Sequence, residues 1–203
     1  MNSVLVCIDI QNDFAKPDGA LSVDGGMEII EKVNSLRKQF AHVMWTQDFH
    51  PVNHVSFVTN HQGAKVYDTV NANGIKQVLF PPHCIQGTKG AELVQELDVR
   101  ESDLFVKKGM DPEIDSYSCF FDQAKVRKTD ADEQLKAIGA KDLYFVGIAT
   151  DFCVKFSVLD AISLGYNVYV YEDCIRGVSK TDSISAIAEM RERGATIIPK
   201  PLN

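Results

Sequence analysis

The chain is poor in positive charge: 21 Lys and Arg stand against 28 Asp and Glu, for a formal net charge of −7. Phosphate-rich partners need clustered cations, so this balance argues against nucleic acid or an anionic membrane surface. The short basic group at 125–128 reads as solvated surface. Long apolar runs are also missing. The first run is interrupted by Asp9, and no basic residues precede it, so neither a signal peptide nor a membrane span fits and a cytoplasmic location is expected. Cysteine is sparse, with five scattered residues, an odd number without zinc-finger spacing, which reads as reduced thiols in a reducing compartment. Repeats and low-complexity tracts are absent. What remains is an ordinary globular composition, 45% hydrophobic and 24% charged over 203 residues, enough for one sizeable core and a single domain over 1–203.

Strand and helix signals alternate along the chain. Residues 3–9 form a β-branched run ending in a carboxylate, as expected of a central strand buried on both faces. A polar loop follows, then a helical stripe of Ile29, Ile30, Val33 and Leu36 within 27–39. Residues 42–46 predict a second strand that runs out into a polar cluster. From there to about 87 the sequence is rich in Pro, Asn and Gly and predicts a long irregular excursion. Helices are expected at 88–97, 130–138, from 152 to Gly165 and at 182–193, with strands at 103–107, 143–146, 167–171 and 196–198. This order predicts an α/β three-layer sandwich: a mainly parallel sheet of roughly six strands with helices on both faces. Ligands of such sheets bind beyond the carboxyl ends of the strands.

Asp9, Asp48, Lys108 and the segment leading to Cys153 all fall at such ends. A thiol at the start of a helix meets unpaired N–H groups and the positive end of the helix dipole, both of which favour thiolate. A nearby carboxylate can take its proton and an ammonium can steady the anion. Each residue alone also has an ordinary reading: Cys153 as a small buried side chain, Asp9 as a loop cap, Lys108 as a solvated strand end. Asp48, His50, His54 and His83 form a second group, one carboxylate with imidazoles, suited to a divalent transition metal. Asp48 and His50, one residue apart, can point the same way from an extended segment.

Six stretches together, Asp9-Ile-Gln-Asn-Asp-Phe14, Asp48-Phe-His50, Pro82-His-Cys-Ile-Gln-Gly-Thr88, Lys108-Gly109, Tyr117-Ser118 and Gly147-Ile-Ala-Thr-Asp-Phe-Cys153, resemble the ordered motif set of the nicotinamidase (pyrazinamidase) branch of the isochorismatase-like cysteine hydrolases. The resemblance covers nearly the whole chain. It implies a catalytic Asp9, Lys108 and Cys153, with Lys108 chosen over Lys107 because it directly precedes glycine. By strand alternation the two lysines should point to opposite faces.

The resemblance further implies one divalent metal ion, zinc, iron or manganese, on Asp48, His50 and His83. His54 is either a further ligand or the residue that holds a metal-bound water. It also implies an oxyanion hole from the N–H groups of Ala149 and Cys153, with a cis peptide between Ile148 and Ala149. Phe14, Phe80 and Tyr117 fall where the family lines its pocket. Two departures bear on substrate preference: Phe80 where the family often has Trp, and Cys119 where it has a smaller residue.

The activity implied is hydrolysis of nicotinamide to nicotinate and ammonia in NAD salvage, with pyrazinamide as an analogue. The small-molecule substrate is the partner expected, and a homo-oligomer is compatible with the sequence. The alternatives are a sibling hydrolase of isochorismate or another small amide, a non-catalytic small-molecule binder on the same fold, and a redox-sensing thiol protein.

Overall fold

The computed structural model describes residues 2–199; Met1 and residues 200–203, the outermost parts of the expected domain, lie outside the described residues. In chain order the strands are β1 (Ser3–Ile8), β2 (His42–Asp48), β3 (Thr69–Ala72), β4 (Ile75–Val78), β5 (Leu104–Lys108), β6 (Asp142–Ile148), β7 (Asn167–Arg176) and β8 (Thr196–Ile198). The α-helices are α1 (Asn12–Ala15), α2 (Ile30–Arg37), α3 (Ala131–Ala137), α4 (Lys155–Ser163) and α5 (Lys180–Glu192).

Six strands pair in the order β5-β2-β1-β6-β7-β8, and every neighbouring pair is parallel. Strand β1 alternates its apolar side chains between two cores. Val4, Val6 and Ile8 pack with Leu135, Val158, Ala161 and Met190 from α3, α4 and α5, while Leu5 and Cys7 pack with Ile30 and Val33 of α2. Both faces of the sheet are therefore covered, as its near-continuous apolar strands require. From β1 the chain builds outward to β2 and β5 on one side, and to β7 and β8 beyond β6 on the other. The change of direction lies between β1 and β6, where a crevice opens at the carboxyl ends.

Three local expectations are corrected. Residues 88–97 form no α-helix but a single 3-10 turn, Lys89–Ala91, followed by extended chain. This segment is pinned to the β1–α1 connection by Asn12 N–H to Glu92 O and Val94 N–H to Ile10 O, so tertiary pairing overrides a weak local periodicity. The excursion before it contains the antiparallel hairpin β3–β4, turning at Asn73-Gly74, both with positive φ, a pair suited to such a turn. The stripe at 27–39 is a 3-10 turn, Gly26–Ile29, before α2.

Gly147 ends the close approach of β6 to β1. Its φ is +121°, and a Cβ there would lie 2.1 Å from the Ile8 carbonyl oxygen, so only glycine fits. Gly147→Ala is expected to lower unfolding free energy by about 2–4 kcal/mol, read as a lower midpoint in urea with an unchanged slope.

Candidate active site

Asp48 and Lys108, the last residues of β2 and β5, are partners in the strand register, which sets a carboxylate against an ammonium. Lys108 is fully buried while Lys107 is exposed, as strand alternation requires. The Lys108 ammonium donates to Asp48 Oδ1 and to the Ser116 carbonyl at 3.0 Å. It lies 2.9 Å from Asp9 Oδ2 and 3.5 Å from Cys153 Sγ. Asp9 follows β1 directly with a φ of +46°. The Thr46 hydroxyl donates to its Oδ1 at 2.5 Å, and its Oδ2 accepts no hydrogen bond of good geometry.

These charges govern one another. Burial pushes Lys108 down, but Asp48 and Asp9 more than offset this and hold it well above its ordinary value. Asp48 is carried the other way: Lys108 and His50 outweigh burial and keep it ionised. Burial, with Asp48 adding to it, raises Asp9 despite the adjacent ammonium. The Cys153 thiol is driven well above the usual range by burial, with Lys108 opposing and Asp9 and Asp48 reinforcing the rise. The expected depression by a helix dipole is therefore corrected. Cys153 lies in a π-turn, Thr150–Val154, ahead of α4, where burial removes the water that would stabilise a thiolate. A resting thiol beside a carboxylate of raised basicity is an arrangement for proton transfer on attack.

The second group gathers on the other oxygen of Asp48. His50 gives its Nδ1–H to Gly109 O at 2.7 Å, and His83 gives its own to Pro81 O at 2.7 Å. Each leaves Nε2 facing Asp48 Oδ2, at 3.5 Å and 4.0 Å. Gly109 is needed here, since a Cβ on it would strike the His50 ring at 2.3 Å. Burial and the charge of His50 depress His83 to about 4. For His50 the pull of Asp48 overcomes burial and raises it. Two imidazole nitrogens with their outer N–H groups anchored, and a carboxylate oxygen, all within 4.8 Å of one another, fit a divalent cation.

His54 differs from these two. Its Nδ1 accepts the Ser56 N–H at 3.3 Å and contacts the Ser56 hydroxyl at 2.7 Å. Its Nε2 is buried without a hydrogen-bond partner and 4.0 Å from Asp115. Burial depresses this imidazole to about 4, so it is neutral, and its ring centroid lies 4.1 Å from that of His50.

Above these groups lies a cavity that opens to the surface. Phe14, Phe80 and Tyr117 all line it, with Asp48, His50, His83, Ala149 and Cys153 at its base. The structure thus brings every candidate from the sequence into one place except Asp9, Lys108 and His54, which lie behind the wall and touch its residues. The Ile148–Ala149 peptide is cis. Cys84 and Cys119 are buried outside the lining.

Sequence reasoning missed Leu21, Val23, Asp115, Phe152 and Val178 in the lining. Phe152 was legible only as part of a helical stripe, yet it meets Phe80 and Tyr117 edge-on at 5.6 Å and 5.5 Å. The others come from loops without a motif.

Comparison with known proteins agrees with this geometry. The isochorismatase domain family matches residues 3–200. The chain is 41% identical to the nicotinamidase of Acinetobacter baylyi over 90% of this chain and 85% of that protein. It is 40% identical to the nicotinamidase of Escherichia coli over 95% and 92%. Among solved structures, the yeast nicotinamidase bound to the inhibitor nicotinaldehyde superposes with a TM-score of 0.91 at 29% identity, covering 98% of this chain and 100% of that one. The Pyrococcus horikoshii pyrazinamidase in complex with zinc gives 0.81 at 33% identity, covering 98% and 100%. The chain belongs to the isochorismatase family of hydrolases, in its nicotinamidase and pyrazinamidase branch.

Proposed function

We propose that the protein hydrolyses nicotinamide to nicotinate and ammonia, and acts on pyrazinamide as an analogue, with Cys153 as nucleophile. The observation that carries this reading is the single cluster in which Cys153, Lys108 and Asp9 adjoin Asp48, His50 and His83 under an aromatic pocket. The nicotinamidases and the zinc-bound pyrazinamidase it resembles support the substrate and a divalent metal. Zinc is the ion we assign. The family match over residues 3–200 supports one hydrolase domain. Among the described residues no helix is long and apolar enough to cross a membrane, in keeping with a cytoplasmic role in NAD salvage.

Asp48, His50 and His83 would hold the ion, which when bound supplies a Lewis-acid contact for the pyridine ring nitrogen. His54 packs against His50 with its Nε2 free of hydrogen bonds, and serves this site as a further ligand or as support for the ligand set. Phe14, Phe80 and Tyr117 sandwich and bound the flat ring, and Phe152 closes the wall between Phe80 and Tyr117.

Asp9 takes the thiol proton as Cys153 Sγ attacks the carboxamide carbon, and the Lys108 ammonium steadies the sulfur as its charge develops. The backbone N–H groups of Ala149 and Cys153 receive the oxyanion. Asp9 returns the proton to the departing nitrogen, releasing ammonia and leaving a thioester on Cys153. Asp9 then takes a proton from water, whose oxygen attacks the thioester carbon. Nicotinate leaves, and the proton returns to sulfur.

Ammonia release from nicotinamide tests the activity directly. Cys153→Ala is expected to lower kcat by at least about 10⁴-fold with an unchanged circular dichroism spectrum; full activity in that variant would overturn the mechanism, and no release by the zinc-loaded wild type would overturn the function. Chelation tests the metal's role separately. Cys153→Ala protein should bind nicotinamide at least about tenfold more weakly by calorimetry after verified metal removal, and unchanged affinity would exclude a role for the ion in binding.

A further inference from the structure

In the stretch Asp9-Ile-Gln-Asn-Asp-Phe14, Asp9 and Phe14 belong to the chemistry and the pocket, which leaves three polar residues without a role. Gln11 is fully buried. Its Oε1 accepts the Asp48 N–H at 2.8 Å, and its Nε2 donates to Asp48 O at 2.8 Å and to Ala91 O at 2.8 Å. One amide therefore grips the backbone of Asp48 on both its donor and its acceptor. Asp13 does a comparable task on a different segment. Its Oδ2 accepts the Cys84 N–H at 2.7 Å and its Oδ1 the Ala20 N–H at 3.2 Å.

Cys84 directly follows His83 and holds a left-handed φ of +45°, a conformation that a residue with a Cβ keeps only when its surroundings enforce it. The Cys84 carbonyl in turn accepts the His50 N–H at 3.0 Å. Asn12, between the two, donates to Lys89 O at 2.7 Å, and among the described residues it makes no hydrogen bond to either segment that carries the proposed ligands.

We propose that Gln11 and Asp13 are positioning residues of the metal site: Gln11 fixes the backbone of Asp48, and Asp13 fixes the backbone beside His83, so that ligands from two separate segments keep one spacing. The proposal rests on the reading of Asp48, His50 and His83 as the residues that hold the ion. Metal sites are sensitive to such support because ligand atoms must be held close to their bonding positions before the ion arrives. A segment that merely glued loops together would show no difference between Gln11 and Asp13 on one hand and Asn12 on the other.

The test is zinc affinity of the full chain, stripped of metal and titrated against a competing chromophoric chelator, a readout independent of catalysis. Gln11→Leu and Asp13→Ala should each weaken zinc binding by about 10- to 100-fold, while Asn12→Ala stays within about twofold of wild type. Asp13→Asn, which keeps an acceptor for the Cys84 N–H, should recover most of the loss. Gln11→Glu, which preserves volume and one of the three hydrogen bonds, should fall between Gln11→Leu and wild type and serves if the leucine variant does not fold. Wild-type affinity in the Gln11 and Asp13 variants, or equal weakening in all three positions, would overturn the proposal alone. A wild-type chain that binds no zinc, manganese or iron(II) would overturn the metal reading and the proposal with it.

Discussion

A buried lysine ammonium can exist in a protein interior only if opposing charge and hydrogen-bond acceptors replace the water it has lost. Lys108 has Asp9, Asp48 and the Ser116 carbonyl around it, with Cys153 as the fourth neighbour. The arrangement is cooperative in both directions, because two carboxylates could not share so dry a place without the cation between them. It depends on the register that ends β2 and β5 side by side, on the left-handed turn that directs Asp9 inward, and on the close packing of β1 and β6 at Gly147.

Asp48 joins two kinds of chemistry in one side chain. One oxygen meets the ammonium and the other meets the imidazoles of His50 and His83. The nucleophile half and the metal-fitting half of the site are therefore built on a shared carboxylate. Gly109 belongs to the same economy of space, since its carbonyl accepts the His50 ring Nδ1–H and its lack of a Cβ admits that ring, while it directly follows Lys108.

The pocket above adds orientation with little charge of its own. Phe80, Tyr117 and Phe152 meet edge-on, a geometry that fixes aromatic walls and leaves a slot for a flat ring. Polar groups are confined to its base and to Asp115. Apolar walls of this kind exclude water, which strengthens every electrostatic contact beneath them.

By itself the sequence determined the alternation of strands and helices, the parallel sheet that follows from it, and the gathering of Asp9, Asp48 and Lys108 at strand ends. These are consequences of local periodicity and of the chirality of crossovers, and both are written residue by residue. The ordered motifs also carried the choice of Lys108 over Lys107, since Lys108 directly precedes Gly109, and alternation sends its neighbour to the opposite face. Tertiary structure alone decided the rest. Extended pairing with the β1–α1 connection replaced the helix expected at 88–97, and desolvation raised a thiol that a helix start would have lowered. Leu21, Val23, Asp115 and Val178 joined the pocket from loops that share no pattern. Each of these turns on neighbours distant in sequence and on the water they displace, quantities that no window of consecutive residues contains.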